Sequence, residues 1–128
     1  MTITLKRDDI LKVQDIKIEK VHVPEWGGDV YVKGMSANAR DEWEDFIIKA
    51  RSGSLRGTRA KLCSLSICDE NGKLLFSQKD MEALGEKSSA ALQRVFNLAQ
   101  DISKIENDAV QGLAEGLQEN PTGDSPSD

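Results

Sequence analysis

The spacing of apolar and polar residues changes several times along the chain, and each change marks an expected element. Residues 4–13 fit a short helix with Thr4 as its cap. Residues 16–23 read as a strand, with Ile16 and Ile18 on one parity and Val21 and Val23 on the other. A straight strand would put these pairs on opposite faces, whereas a bulge at Glu19-Lys20 would return all four to one face. Pro24 has no N–H to donate and ends the strand. Glu25-Trp26-Gly27-Gly28-Asp29 reads as a turn, because its glycines accept positive φ. Val30, Tyr31 and Val32 then return as the second strand of a hairpin.

A helical period follows. Ser36 or Asn38 caps it, and Ala39, Trp43, Phe46, Ile47 and Ala50 fall on one face. Asp41, Glu42, Glu44 and Asp45 suit its positive N-terminal half, and Lys49 and Arg51 its negative end. Gly53 is the expected stop. Arg51 to Lys61 reads as a basic, glycine-containing loop. Cys63, Leu65 and Ile67 alternate with Ser64 and Ser66, the pattern of a half-buried strand. Asp69-Glu70-Asn71-Gly72 is a turn, with Leu74, Leu75 and Phe76 as a short return strand. Ser77 and Asp80 stand at capping-box spacing before a helical turn through Met81 and Leu84. Ser88 or Ser89 caps a long helix with its stripe at Leu92, Val95, Phe96, Ala99, Ile102 and Ile105. Ala109, Val110, Leu113, Ala114 and Leu117 form a shorter amphipathic piece, which Gly112 and Gly116 weaken by roughly 1 kcal/mol each.

Composition adds limits. At 128 residues, the length of one domain, the chain can bury a core without a metal or a disulfide. No apolar run approaches a membrane span, and the first residues lack the apolar core of a signal peptide. Cys63 and Cys68 make no disulfide framework, so a reducing cytosol is the expected compartment. The net charge is −5. Six acids and no base lie beyond Lys104, so residues 1–104 carry 17 bases and 16 acids. The expected organisation is a nearly neutral α+β domain over residues 1–106 and an acidic, partly helical to disordered tail over 107–128.

Little in the chain suggests reaction chemistry. His22 is the single histidine and sits on the polar parity of the first strand, which leaves a triad without convergent partners. Cys63 and Cys68 are five apart without a second pair, so a shared metal is not expected. The acids at 41–45 fan around a helix rather than converge on a cation. Neither glycine pair has phosphate-loop spacing. No cofactor, metal or catalytic residue is expected. The candidate contacts are to partners. Trp26 at the hairpin tip either packs back on the domain or anchors a partner. Arg56 and Arg59 belong to a solvated loop, a contact for an acidic protein, or an RNA contact without stacking aromatics. Val110, Leu113 and Leu117 are candidates to fold on binding.

Val21-His22-Val23-Pro24-Glu25-Trp26-Gly27-Gly28-Asp29-Val30-Tyr31-Val32 leads into a helix carrying Arg40 and Asp45-Phe46-Ile47-Ile48. Cys63-Ser64-Leu65-Ser66-Ile67-Cys68-Asp69-Glu70-Asn71-Gly72-Lys73-Leu74-Leu75-Phe76-Ser77 follows. This order, over roughly residues 3–105, resembles the tail assembly chaperones of long, non-contractile-tailed, lambda-like bacteriophages. The Pro-Glu-Trp-Gly-Gly element is its more specific part.

The resemblance implies a non-enzymatic assembly factor of the host cytoplasm, missing from the finished virion. It would solubilise the tape measure protein and recruit tail tube protein around it, with neither nucleic acid nor membrane as a partner. A self-oligomer is an open alternative. Many such proteins also have a longer, frameshifted form. A familiar slippery codon pair encodes Gly-Lys, and here no Lys follows Lys104. Competing readings are a minor tail or tail completion protein retained in the virion, and a small regulatory binding module.

The expected fold is α+β: small antiparallel hairpins packed on the Trp43 helix and the Leu92–Ile105 helix, with a helical C-terminus. Whether the hairpins share one sheet is open at this level.

Overall fold

The computed structural model describes residues 2–103. After a short helix α1 (Arg7–Lys12), which buries no residue, the chain enters a hairpin of β1 (Ile18–Val23) and β2 (Gly28–Lys33). The strands pair without interruption from Ile18 opposite Lys33 to Val23 opposite Gly28. The expected bulge at Glu19-Lys20 is therefore absent. Val23 and Val32 are fully buried and hold the register, since a one-residue slip would turn both outward. Ile18 stays on the outer face, where it packs towards Gly72. Having its own neighbour, it needs no bulge to bring it inward. Ile16 precedes the strand, half-buried beside Gly34.

α2 (Ala37–Arg51) starts at Ser36, whose Oγ accepts the Ala39 N–H at 3.1 Å. Trp43 and Ala50 are buried, with Ala39, Phe46 and Ile47 packed against the core. The ring of Trp43 stacks on Phe46 and meets Phe96 edge-on. The acids of this helix do not cluster at its start, for its first turn holds none. Glu44 pairs with Arg40 and Asp45 with Lys49, one turn apart. Such pairs are worth a few tenths of a kcal/mol.

The region after α2 departs most from the sequence-based expectation. The predicted strand at Cys63–Ile67 is largely helix: α3 spans Thr58–Ser64, and only Ile67–Cys68 form β3. Every residue from Ala60 to Cys68 is buried. The serines that imitated a solvent face lie inside, where Ser64 Oγ donates to the Lys61 carbonyl at 2.7 Å. Ser66 Oγ is fully buried with no hydrogen-bond partner among the described residues. Gly57 begins α3 with φ at +85°, close to the Phe46 ring.

β3 adds to β2 through Tyr31–Cys68 and Val32–Ile67. The result is one three-stranded antiparallel sheet in the order β1-β2-β3. The turn at Asp69–Gly72 forms as expected, with Asp69 N–H donating to the Lys73 carbonyl at 2.9 Å. The return strand shrinks to a Cys68–Leu74 bridge and one bond from Leu75 N–H to Ile67 O at 3.1 Å. Leu75 is largely exposed there and gains little from a longer ladder.

Ser77 and Asp80 form the capping box ahead of α4 (Met81–Gly85). Ser88 caps α5 (Ser89–Ile102) by accepting the Ala91 N–H at 3.2 Å. Leu92, Val95, Phe96 and Ala99 of α5 close the core over Val23, Val32, Leu62 and Ile67. The architecture is α+β. Ile105, the expected helical piece at Ala109–Leu117 and the proposed division at residue 106 lie outside the described residues.

Candidate functional site

The hairpin tip is built to hold Trp26 in place. Pro24–Trp26 form a 3₁₀ turn closed by Gly27 at φ +74°. Arg94 on α5 donates from Nε to Glu25 Oε1 at 3.0 Å and from Nη2 to Oε2 at 3.2 Å. This guanidinium holds the Glu25 carboxyl below the ordinary glutamate value. Trp26 packs one side on the core and turns another towards a groove of about 350 Å³. Phe76, Ala83 and Leu84 complete its apolar wall, with Asp80 and Lys87 at the rim. The capping box at Ser77 sets where α4 begins, and so places Ala83 and Leu84 opposite the indole. Trp26 thus packs back on the domain, half-buried, and its remaining face lines an open surface.

Arg56 and Arg59 lie at the start of α3 and border a second, shallower cleft of about 270 Å³. Lys87 and the N-terminal end of α5 form its other side, over Ala60 and Leu92. No ion pair among the described residues neutralises Arg56, Arg59 or Lys87. Arg59 Nε donates to Gln93 Oε1. Lys61, expected in the same solvated loop, is instead buried. Its ammonium donates to Glu42 Oε2 at 2.6 Å and Gln78 Oε1 at 3.3 Å, and lies 6.0 Å from the Phe46 ring centre. Its acidic contact is therefore within the chain. Val110, Leu113 and Leu117 lie outside the described residues.

Among the described residues, reactive groups do not converge. His22 is exposed and shares a hydrogen bond with Asp29 across the hairpin at 2.8 Å. Cys63 and Cys68 are free and buried, and burial pushes the Cys63 thiol up to about 12. Among the described residues, no group of three or more His, Cys, Asp or Glu is placed to hold a metal ion. No helix there is long and apolar enough to cross a membrane.

A family model described as phage tail assembly chaperone matches residues 7–112, well over half of the chain. The chain belongs to that family. Tail assembly chaperones have an assembly role and are not enzymes. The fold is also that of the bacteriophage HK97 tail assembly chaperone. That structure aligns with a TM-score of 0.55 at 22% sequence identity, over 68% of this chain and 85% of the other. No curated protein matches the chain.

For this tail assembly chaperone, sequence reasoning singled out Trp26, Arg56 and Arg59 as candidates, but not the residues that line the grooves with them. Phe76 was read as strand and Leu84 as part of a helical turn. Lys87 carried no signal. The capping box at Ser77 located α4 in the sequence, but not that its outer face would oppose a hairpin tip nearly sixty residues earlier in the chain.

Proposed function

We propose that this tail assembly chaperone binds and solubilises the tape measure protein in the host cytoplasm and helps recruit tail tube protein around it. The observation that carries the reading is the Trp26–Phe76–Leu84 groove. It is apolar, open and rimmed by one acid and one base, as suits one face of an amphipathic helix. An open groove of this size favours release over a permanent interface. Trp26 is the anchor. Val110, Leu113 and Leu117, beyond the domain at residues 1–106, add apolar contacts to the client.

The test is co-expression of the full chain with a tape measure protein, reading the soluble fraction of the client. Trp26→Ala is expected to cut client affinity by roughly 30-fold, the effect of losing a ~2 kcal/mol anchor. Lys87→Glu, which keeps the apolar wall of the groove, is expected to act more weakly. A soluble fraction unchanged by Trp26→Ala, in a variant whose circular dichroism and melting point are retained, would overturn the groove assignment. Purified virions should lack the protein by mass spectrometry, and its presence there would favour the tail-component reading.

A further inference from the structure

We propose that the cleft bordered by Arg56, Arg59 and Lys87 is the seat of the chain's own acidic C-terminal segment, with Val110, Leu113 and Leu117 laid on its apolar floor. The cleft offers three bases and no acid along its lining, over Ala60 and Leu92 and beside Leu55. An adjoining hollow that shares Arg56, Gly57, Ala60 and Gly85 is lined by Glu82 and Glu86, so of the two the acid-free cleft is the one that suits an anionic segment. The N-terminal end of α5 also borders the cleft, and its first turn carries no acidic residue of its own. Its free N–H groups and dipole therefore add to the positive field.

The segment has the matching chemistry. Residues 105–119 hold Glu106, Asp108, Glu115 and Glu119 and no base, and place Val110, Leu113 and Leu117 at helical spacing between those acids. Its tether has a suitable length. α5 ends beside β2, where Met35 N–H donates to Ser103 Oγ at 3.2 Å. The cleft lies at the other end of this 14-residue helix, about 20 Å back at 1.5 Å per residue. About six extended residues cover that distance at ~3.3 Å each. Counted from Ser103, Val110 is the first apolar side chain to reach the cleft after them. A short tether supplies the segment at roughly millimolar effective concentration, enough for modest contacts to hold it. The same apolar residues are thereby covered when no client is present.

The test needs no client, so its failure is separate from failure of the proposed function. Gln111→Cys in the full chain directs a nitroxide to the new thiol, because Cys63 and Cys68 are buried. Amide signals of Arg56 to Ala60 and Lys87 to Leu92 are expected to lose most of their intensity. They should recover at about 1 M salt, where screening falls to about 3 Å, and in Arg56→Glu with Lys87→Glu, neither of which lies in the core. Signal loss elsewhere, or none, would overturn the proposal. Loss in an isotope-labelled chain mixed with a separate nitroxide-labelled chain would assign the cleft to a second copy. Perturbation of the same amides by a single-stranded oligonucleotide, without any nitroxide effect, would assign it to nucleic acid.

Discussion

Lys61 and Glu42 join α3 to α2, and the two ends of this ion pair differ sharply in their access to water. The Lys61 side chain is 7% exposed and that of Glu42 is 54% exposed. Gln78, the second acceptor, is exposed as well. The ammonium thus carries most of the desolvation, while both acceptors can return to water. Glu42→Gln leaves the positive charge buried beside neutral amides. The cost of an under-satisfied buried charge, discounted because the site is half open, is about 1–2 kcal/mol. Lys61→Met removes the charge and keeps the aliphatic stem, and its sulfur comes to lie near the Phe46 ring. That change is expected to stay within about 0.5 kcal/mol of the parent. In urea, with a slope of ~1–3 kcal/mol/M, Glu42→Gln should lower the midpoint by about 1 M and Lys61→Met should hardly move it. In a thermal scan the Glu42→Gln loss corresponds to roughly 5–15 °C. The double variant should match Lys61→Met, because the coupling ends with the charge. Lys61→Met costing as much as Glu42→Gln would show that the pair itself, not the unequal desolvation, governs stability here.

Ser66→Ala removes a hydroxyl that is buried without a partner, so it should leave stability unchanged or raise it by up to about 1 kcal/mol; a clear loss in a urea titration would mean that the hydroxyl is satisfied. Asp69 accepts the N–H groups of Lys73 and Asn71 at 3.0 and 2.8 Å, which hold its carboxyl below the ordinary aspartate value. Its contribution is therefore present above about pH 4, the unfolded value, and is lost as pH falls through the lower folded value. Carboxyl titration by NMR checks the depressed value, and Asp69→Asn should flatten the acid limb of the stability curve. Cys63 and Cys68 should resist a thiol-specific aromatic disulfide reagent at neutral pH until the domain is unfolded, and rapid labelling of either in native buffer would contradict their burial.

Much of the fold could be read along the chain because local signals agreed with one another. The Pro24–Gly28 turn between two valine-bearing segments specifies the first hairpin, as Pro and Gly restrict backbone geometry without help from distant residues. Ser36, Ser77 and Ser88 mark helix starts by the same kind of local hydrogen bonding. The stripes through Trp43 and Leu92 name the core-facing sides of α2 and α5. The segment from Thr58 to Cys68 was illegible because alternation implies a strand only when one face is wet. Here both faces are buried, and the close contacts of α3 with α4 and α5 settled the matter in favour of helix. The acids of α2 likewise found their partners by helical spacing and, for Glu42, through a lysine nineteen residues away.

The sequence alone thus determined the hairpin, the main helix starts, the separation of a near-neutral body from an acidic segment, and the resemblance to tail assembly chaperones. The tertiary structure alone decided that the strands form one sheet, that Lys61 is inside, and that Trp26 meets Phe76 and Leu84 across a groove. Turns and caps are set by neighbours a few residues away. Burial and groove walls are set by which distant surfaces exclude water from one another, and no local pattern records that.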